Sequence, residues 1–363
     1  MANSSDSESA DQIPCVSIIV PNYNHACFLP ERLSSIRNQT FKDYELIILD
    51  DASSDESLNV IRSELADFPH QLIINEHNSG SPCSQWLKGI QQARGRYVWI
   101  AESDDSCSLD FLTCMIKLMD QGASLAYCRS QAINEQSNEI TENTTYWPDC
   151  IDPEQWKTAF TMVNHRFCQR YLVNTNVIPN ASAVLFRLQP ALHCFSIAPI
   201  LQGLLFTGDW LFWIHYLTNS SGSICFIPQE FSSFRTHAGT TRFSSSSAEK
   251  EALHIHEYCT AIDFIASHPI FKSQVGYKAR LFGSGWDWIY LEYFARCKPN
   301  HWQRLTAQGL HGTLSTLILV RLVLSSHLRK HCFPATSKRL YRIQNWLEIS
   351  EARLKAWIKM ALP

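Results

Sequence analysis

A chain of 363 residues with 45% hydrophobic content can bury a large core, which indicates a globular protein of one large domain with an appendage, or of two domains. The net charge of −3 conceals an asymmetry, because residues 301–363 carry a balance of +8 and the remaining chain one of −11. No apolar run reaches the length of about 18 residues that a membrane-spanning helix needs. The thirteen cysteines are an odd number and form no CxxC pairs, which argues against a disulfide framework or a structural zinc site. Such cysteine usage favours a reducing compartment, the cytoplasm.

The predicted elements begin after a polar, acidic tail, residues 1–13, which has no signal-peptide features and which we expect to be disordered. Short branched or aromatic runs then alternate with amphipathic stretches. The predicted strands are 15–21, 44–50, 71–75, 97–101 and 124–128, and the predicted helices are 28–38, 55–66, 84–93 and 109–121. This alternation predicts a parallel sheet with helices on both faces, whose ligands bind at the carboxyl ends of the strands.

Three of these strands end in polar side chains that should converge on one crevice. They are Asn22 and Asn24 after the first strand, Asp50 and Asp51 after the second, and Glu102, Asp104 and Asp105 after the fourth. Neighbouring carboxylates repel each other, and a positive partner is needed to keep them ionised. The last cluster therefore predicts a site for a divalent cation.

The second half of the chain has a looser pattern. We expect a helix at 153–163, a strand at 182–187, a helix at 209–217, and strands at 223–227 and 231–235. The serine-rich stretch 243–249 looks like a boundary loop, and the chain beyond it is mainly helical in pattern. The predicted domains are thus 14–245 and a helical, basic region at 246–363.

Four segments in this order resemble the family-two glycosyltransferases of the GT-A fold, over residues 14–242. They are VSIIVPNYNHACFLPERLSSIRNQTFKDYELIILDDASSD, NSGSPCSQWLKGIQQARGRYVWIAESDD, GDW at 208–210 and FRTHAGTTR at 234–242. The first segment is the most specific. The resemblance implies a Rossmann-like mixed sheet flanked by helices, with a mainly helical C-terminal extension.

By this resemblance, Tyr23 would stack on the nucleobase of a nucleotide-sugar donor and Asp51 would accept from its ring N–H. Pro21 and Asn24 belong to the same donor-binding loop, and Asp50 would support that loop. Taken alone, Asp51 is also a good turn residue, since Asp-x-Ser-Ser-Asp suits turns and helix N-termini.

The family's Asp-x-Asp metal motif corresponds to Glu102-Ser103-Asp104, with Glu in the first position. Asp104 is the expected direct ligand of Mn²⁺ or Mg²⁺, whose preferred ligands are oxygens. Glu102 would reach the metal through water or contact the donor sugar or ribose, and Ser103 beside it is also predicted to bind the nucleotide sugar. His237 resembles a histidine that some members use as a further metal or phosphate contact, and it is predicted as a metal ligand. Asp105 is equally well explained as the cap of the next helix.

Asp209 in GDW occupies the position of the family's catalytic acid residue, and the resemblance implies that it is the base, although it also suits a helix N-terminus. One carboxylate base implies a single displacement with inversion. Arg235 and Arg242 would pair with the diphosphate. Asn180, Ser182 and Trp210 are the residues predicted on the acceptor side.

These residues predict an inverting, metal-dependent glycosyltransferase that uses a nucleotide-diphosphate sugar, taken to be a uridine diphosphate sugar, and a saccharide or lipid-linked glycan acceptor. The alternative is a non-catalytic nucleotide-binding or scaffold protein on the same fold. A nucleotidyltransferase would need a glycine-rich, Lys-containing loop after the first strand, and a Rossmann dehydrogenase needs GxGxxG; the chain has neither.

The basic C-terminal segment 336–363 combines Trp and Leu with Lys and Arg, the composition of an interfacial helix. It predicts contact with an anionic membrane surface at the inner face of the cell membrane, and no nucleic-acid partner. The alternative is that this segment packs on the catalytic domain.

Overall fold

The computed structural model describes residues 13–141, 146–173 and 175–237, Gly239, and a helical stretch with gaps between 250 and 272. The chain divides into two compact units, residues 1–245 with 268–271 and residues 246–267 with 272–363. The predicted boundary loop at 243–249 and the basic segment 336–363 lie outside the described residues, so the domain assignment stays a prediction. The elements that carry the site all belong to the first unit.

The first half alternates strands with helices, within a few residues of the predicted ranges. The elements are β1 (Val16–Asn22), α1 (Leu29–Arg37), β2 (Tyr44–Asp50), α2 (Ser57–Glu64), β3 (Gln71–Ile74), α3 (Pro82–Gln92), β4 (Tyr97–Ile100), β5 (Ser106–Cys107) and α4 (Phe111–Asp120).

The second half is less regular. Its strands and α-helices are β6 (Ala123–Ile133), β7 (Phe160–Val163), α5 (Asn164–Phe167), β8 (Val184–Arg187), α6 (Leu188–Ala191), α7 (Ala198–Leu201), α8 (Gly208–Thr218), β9 (Ser223–Arg235) and a short helix Pro269–Lys272. Turns of 3₁₀-helix cover Trp147–Cys150, Gln155–Lys157, Ala181–Ala183 and Leu192–Ile197, and a π-helical turn covers Cys168–Leu172. The predicted helix at 153–163 is wrong, because this stretch forms a 3₁₀ turn and then β7, which pairs with β9.

In the described part of the chain, nine strands form one mixed sheet in the order β3-β2-β1-β4-β8-β6-β9-β5, with β7 paired to β9. Strands β1 to β4 are parallel, as the alternation predicts. Strand β8 runs antiparallel to both β4 and β6, while β6 and β9 pair in parallel. None of the helices in the described part of the chain is long and apolar enough to cross a membrane.

Strand β9 is one continuous strand, where the sequence predicts two. Its pairing with β6 passes from Cys128 opposite Ile227 directly to Arg129 opposite Glu230. Pro228 and Gln229 are therefore extra residues in a bulge, which accommodates the missing proline N–H without ending the strand. Because β9 continues, its C-terminal end reaches the loop that follows β4.

Strand β1 is the centre of the core, and every residue in it is buried. Helix α3 covers it closely at Gly89, where an added Cβ would lie 2.4 Å from Ile19 Cγ2. Trp99 of β4 is fully buried, stacks at 4.6 Å on Phe111 of α4, and donates its indole N–H to the Ser182 carbonyl over 2.8 Å. Burial on both faces fixes the strand ends and the loops that follow them.

Candidate active site

The loops after β1, β2 and β4 share one edge of the sheet, because these strands are parallel neighbours. Hydrogen bonds join the loops: Asn22 Nδ2 donates to Asp50 Oδ2 over 2.8 Å, and His25 Nδ1 lies 2.8 Å from Ser103 Oγ. Asp50 Oδ1 also accepts from the Ser53 N–H, so Asp50 supports the loop as expected. The polar residues after the three strands therefore converge, as the sequence predicts.

Asn24 ties the first loop to the second. Its backbone has φ of 55°, a left-handed conformation that Asn tolerates better than most residues. Its side-chain Oδ1 accepts from the backbone N–H groups of Ser54 and Asp55, at 2.8 and 3.3 Å. The structure thus accounts for Asn24 through the shape of the loop, and its contact with a donor stays a prediction.

The residues predicted to hold the nucleobase occupy different environments. Tyr23 is 46% exposed, so its ring is accessible for stacking. Pro21 is buried within β1, paired with Leu49, and shapes the strand end; its contact with the donor stays a prediction.

The Asp51 carboxylate is only 5% exposed and accepts several hydrogen bonds. Its donors are Asn75 Nδ2, Ser79 N–H and Gln85 Nε2 to Oδ1, and the Ser79 hydroxyl to Oδ2. Among the described residues, Oδ2 thus accepts one hydrogen bond where Oδ1 accepts three. Oδ2 is the oxygen with the greater capacity to accept from a nucleobase N–H.

Each carboxyl group of the Glu102–Asp105 loop has its own partner. Glu102 Oε1 accepts from the Trp86 indole N–H over 2.8 Å, and Asp104 Oδ2 lies 3.1 Å from His237 Nε2. Asp105 Oδ1 accepts from the Arg235 backbone N–H over 3.0 Å. Asp105 is therefore not the cap of α4, whose N-cap residue is Asp110.

The three carboxyl groups differ in their acidity. Burial, followed by the charge of Asp104, raises the pKa of Glu102 to about 8 and the pKa of Asp105 to about 7. Burial also acts to raise the pKa of Asp104, but the hydrogen bond with His237 and the nearby His25 outweigh it and lower that pKa. Asp104 is thus the carboxylate of this loop that ionises most readily, which fits the predicted metal ligand.

A buried arginine lies beneath this loop. Arg32 of α1 has no exposed surface, and it donates from Nε to the Glu102 carbonyl over 2.8 Å and from Nη2 to Ser182 Oγ over 3.2 Å. Ser182 Oγ in turn accepts from the Glu102 backbone N–H over 3.0 Å. Arg32 therefore supplies positive charge to the acidic loop and fixes its backbone.

Arg235, at the end of β9, is the second buried arginine, with 1% of its surface exposed. Its Nε donates to the Asp104 carbonyl over 2.7 Å, and its Nη2 forms an ion pair with Glu31 at 2.6 Å. The predicted contact between Arg235 and the diphosphate is not supported, because the guanidinium is turned inward and engaged. Arg242, predicted for the same role, lies outside the described residues.

Two imidazoles and one carboxylate meet above the loop. The possible ligand atoms of His25, Asp104 and His237 all lie within 4.8 Å of one another. Burial, partly offset by the charge of Asp104, lowers the pKa of His25, which favours the neutral imidazole that binds metals. His237 joins Asp104 here, as the metal prediction requires, while His25 was not predicted.

Asp209 lies in the first turn of α8. Its Oδ2 accepts from Asn176 Nδ2 over 2.8 Å, and its Oδ1 accepts from the Trp210 backbone N–H over 2.7 Å. Asp209 lines a cleft of about 220 Å³ that Glu102 and Asp104 also line. The predicted base and the predicted metal ligand therefore face the same space.

The residues predicted on the acceptor side are mostly structural. Ser182 and Trp210 are 0% and 1% exposed, and the Trp210 indole donates to the Leu172 carbonyl over 2.8 Å, so neither reaches an acceptor; these two predictions are not supported. Asn180 does line the cleft, although its amide donates to Ser130 Oγ over 3.1 Å. Its contact with an acceptor stays a prediction.

Sequence reasoning missed four residues that shape the site: His25, Arg32, Trp86 and Asn176. His25 carried a usable signal, because it directly follows Tyr23 and Asn24 in the loop after β1. The other three act through contacts with residues distant in the chain, which no local pattern indicates.

The fold and the site together define a class of protein. A mixed α/β sheet carries, at the carboxyl edge of its parallel strands, polar loops next to a carboxylate and imidazole cluster and a second carboxylate across a cleft. A cleft at the carboxyl ends of parallel strands, lined by carboxylates, is where α/β enzymes bind their ligands, so the chain has the architecture of an α/β enzyme.

Comparison with known families agrees with this class. Residues 17–187 match the sequence model described as "Glycosyl transferase family 2". Residues 17–187, just under half of the chain, therefore belong to this family of glycosyltransferases.

Curated relatives match over parts of their length. A chondroitin synthase of Escherichia coli is 29% identical over 164 residues, which are 45% of this chain and 23% of the relative. A GalNAc(5)-diNAcBac-PP-undecaprenol beta-1,3-glucosyltransferase of Campylobacter jejuni is 31% identical over 111 residues, 30% of this chain and 36% of the relative. The match thus spans less than half of each of these two proteins.

Solved structures share the fold. The S. aureus TarS fragment 1–349 in complex with UDP-GlcNAc superposes with a TM-score of 0.52 at 16% identity, covering 94% of this chain and 92% of that one. The same fragment in complex with UDP gives a TM-score of 0.50 at 17% identity, covering 94% and 91%. At these identities the likeness shows the GT-A type of fold alone.

Proposed function

We propose that the protein transfers a sugar from a nucleotide-diphosphate donor, a uridine diphosphate sugar, to a hydroxyl group of a saccharide or lipid-linked glycan, with inversion at the anomeric carbon. One observation carries this proposal: Asp104 and Asp209, from two separate elements, line the same cleft. Family membership supports sugar transfer as the reaction class.

Asp209 is the proposed general base. Its carboxylate accepts the proton of the acceptor hydroxyl as that oxygen attacks the anomeric carbon, and such a base contributes about 10²- to 10⁴-fold to the rate. One base on the face opposite the leaving group implies one displacement and an inverted product. The bonds from Asn176 and the Trp210 N–H hold the carboxylate in place.

Asp104 and His237 are the proposed holders of Mn²⁺ or Mg²⁺. Two atoms that bind one ion at about 2.1 Å lie at most about 4.2 Å apart, and Asp104 Oδ2 and His237 Nε2 lie 3.1 Å apart, within that limit. A bound ion neutralises charge on the leaving diphosphate. Glu102, held by Trp86, borders the same cleft and is the proposed contact to the donor's ribose or sugar.

The donor's nucleobase is proposed to stack on Tyr23 and donate to Asp51. Exposure of the Tyr23 ring and the remaining acceptor capacity of Asp51 Oδ2 support this assignment. The UDP and UDP-GlcNAc bound to the TarS fragment support a uridine nucleotide. A thermal-unfolding panel of nucleotide sugars identifies the donor, because the true ligand stabilises the folded state according to its concentration and affinity.

The names of the relatives support a polysaccharide or lipid-linked glycan as acceptor. Residues 336–363 lie outside the described residues, and their composition supports contact with an anionic leaflet at the cytoplasmic face, where such acceptors are confined. The full-length chain should then co-sediment with anionic liposomes at low salt and much less at high salt. Equal recovery in the supernatant with and without liposomes at low salt would rule out this contact.

A second candidate function is nucleotide binding without catalysis. The observation that favours it is Glu102 at the first position of the metal motif, where the family usually has Asp. Turnover separates the two candidates, since a binding protein is stabilised by the nucleotide and releases no product.

The central test is metal-dependent turnover of Asp104→Ala beside its matched control Asp67→Ala, an exposed residue outside the site. Chelation should abolish transfer by the wild type, and Mn²⁺ or Mg²⁺ should restore it. Asp104→Ala should lose both turnover and metal-dependent nucleotide binding, while Asp67→Ala keeps both. Full turnover of Asp104→Ala in metal-free buffer would remove the metal from the proposal.

A further inference from the structure

We propose that His25 is a third protein ligand of the divalent ion, so that two imidazoles and one carboxylate hold it: His25, Asp104 and His237. This inference rests on the proposed metal-dependent function and adds to it a residue from the nucleotide-binding loop. The possible ligand atoms of all three side chains lie within 4.8 Å of one another. They come from the loop after β1, the loop after β4 and the residue pair after β9.

The His25 ring is oriented by the metal loop itself. Ser103 Oγ lies 2.8 Å from His25 Nδ1, and Ser103 is the residue directly before Asp104. A histidine that binds metal through one ring nitrogen usually bonds its other nitrogen to a neighbouring protein group, which fixes the ring. With Nδ1 engaged by Ser103, Nε2 is the nitrogen that remains for the ion.

Phe28 holds the two imidazoles together from one side. Its ring centroid lies 5.8 Å from that of His25 and 4.7 Å from that of His237, and the two imidazoles are 5.4 Å apart in a T-shaped arrangement. Arg235 packs over Phe28 with its guanidinium carbon 5.0 Å from the ring centroid. The imidazoles are thus positioned by packing before any ion binds.

A simpler role for His25 would be to supply positive charge to Asp104. Two buried guanidinium groups already bring positive charge to the backbone of this loop, since Arg32 donates to the Glu102 carbonyl and Arg235 to the Asp104 carbonyl. The loop therefore has positive charge beside it without His25. A role as metal ligand explains better why the His25 ring lies beside the Asp104 carboxylate and the His237 imidazole.

Two imidazoles and one carboxylate also select the ion. Mg²⁺ prefers oxygen ligands in near-ideal octahedral geometry, and first-row transition ions, of which Mn²⁺ binds most weakly, accept imidazole more readily than Mg²⁺ does. We therefore expect Mn²⁺ to bind more tightly than Mg²⁺ to the protein alone, without a donor. Replacing His25 by Asp, which offers oxygen, should shift the preference back toward Mg²⁺.

The test is Mn²⁺ binding to the full-length protein, followed through the free-ion EPR signal in the absence of nucleotide. His25→Ala should weaken Mn²⁺ binding at least tenfold, and Ser103→Ala about 10- to 100-fold, the usual effect of losing a residue that orients a metal ligand. His165→Asn, an exposed histidine on α5, should bind as the wild type does. The bound ion should show ¹⁴N couplings from two histidines in the wild type and from one in His25→Ala.

The outcomes separate this inference from the proposed function. If Asp104→Ala loses Mn²⁺ while folded His25→Ala binds it with wild-type affinity and unchanged ¹⁴N couplings, His25 is not a ligand and the metal-dependent function stands. If the wild type binds no Mn²⁺ and transfers sugar in the presence of chelator, both fail. Circular dichroism and thermal unfolding of each variant exclude loss of binding through misfolding, and His25→Asp gives a second readout in its altered metal preference.

Discussion

Asn176 donates its side-chain amide to Asp209 Oδ2 over 2.8 Å, and so fixes the one carboxylate on α8 that faces the cleft. The amide is itself oriented, because its Oδ1 accepts from the Ile178 N–H over 2.9 Å. The Asn176 carbonyl accepts from the Trp147 indole over 2.9 Å, which anchors the residue from a third side. Asn176 is therefore placed to position Asp209 without taking part in the chemistry.

Asn176→Ala should lower kcat about 10- to 100-fold with little change in KM for the donor, because a displaced base loses part of its contribution of about 10²- to 10⁴-fold. Steady-state kinetics measures both constants, and the exposed Asn59→Ala is the matched control. A variant with normal kcat and only a lower Tm would assign Asn176 to structure alone.

Asp209→Asn should keep donor affinity near that of the wild type and lower turnover about 10²- to 10⁴-fold, because it removes the proton acceptor and leaves the shape of the side chain. Isothermal titration measures the affinity, and product release measures turnover. The coupling constants of the wild-type product should show the inverted anomer. Retention of configuration would contradict the single displacement.

Gly89→Ala should lower the free energy of unfolding by about 1–3 kcal/mol, the usual cost of adding a methyl group to a packed interior. The new Cβ would lie 2.4 Å from Ile19 Cγ2 and 3.1 Å from Leu49 Cδ1, in strands with no room to move. Gly203→Ala is the control, since its nearest neighbour is 3.5 Å away. Urea titration of both variants measures the difference, and equal midpoints would show that α3 can shift.

The ion pair between Glu31 and Arg235 predicts acid sensitivity. Burial acts to raise the pKa of Glu31, but the hydrogen bond from Ser137 and the charge of Arg235 outweigh it, so the pKa is lowered from 4.5. A lowered carboxyl pKa stabilises the fold above the unfolded pKa, and this stability is lost as pH falls through the folded value. Glu31→Gln should therefore be less stable than the wild type at pH 7, and the two should converge as pH falls through the lowered pKa of folded Glu31.

Urea unfolding at several pH values measures this convergence, with the exposed Glu76→Gln as control. Because Glu31 is 40% exposed, solvent screening keeps the difference small. A constant gap between Glu31→Gln and the wild type from pH 7 to pH 3 would show that the titration of Glu31 does not contribute.

The sequence predicts the first half of the sheet well, because each strand from β1 to β4 is a short run of branched or aromatic residues between polar turns. It mispredicts 153–163, where Trp156 and Phe160 have helical spacing but the pairing of β7 with β9 determines the structure. It also splits β9 at Pro228, since a bulge is created by the partner strand and not by local preference.

For the site, the sequence predicts which loops converge but not which side chains face inward. Arg235 is adjacent to functional residues in the chain, yet its guanidinium is buried beneath the loop. Its direction depends on the pairing between β6 and β9, which brings Arg235 opposite Ile133. His25 and Asn176 escape prediction for the same reason, since their roles follow from partners far away in sequence.

The separation of Asp104 and His237 by 133 positions has a consequence for how the domain is made. Synthesis delivers Asp104 together with Arg32, which donates to the Glu102 carbonyl of the same loop, long before His237 exists. Arg235, whose guanidinium donates to the Asp104 carbonyl, precedes His237 by two residues, so the loop gains the second of these two buried cations late. His237 reaches the cluster only when β9 joins the sheet. Any ion that binds to both side chains therefore binds after the sheet has formed, and ion binding indicates that β9 has paired.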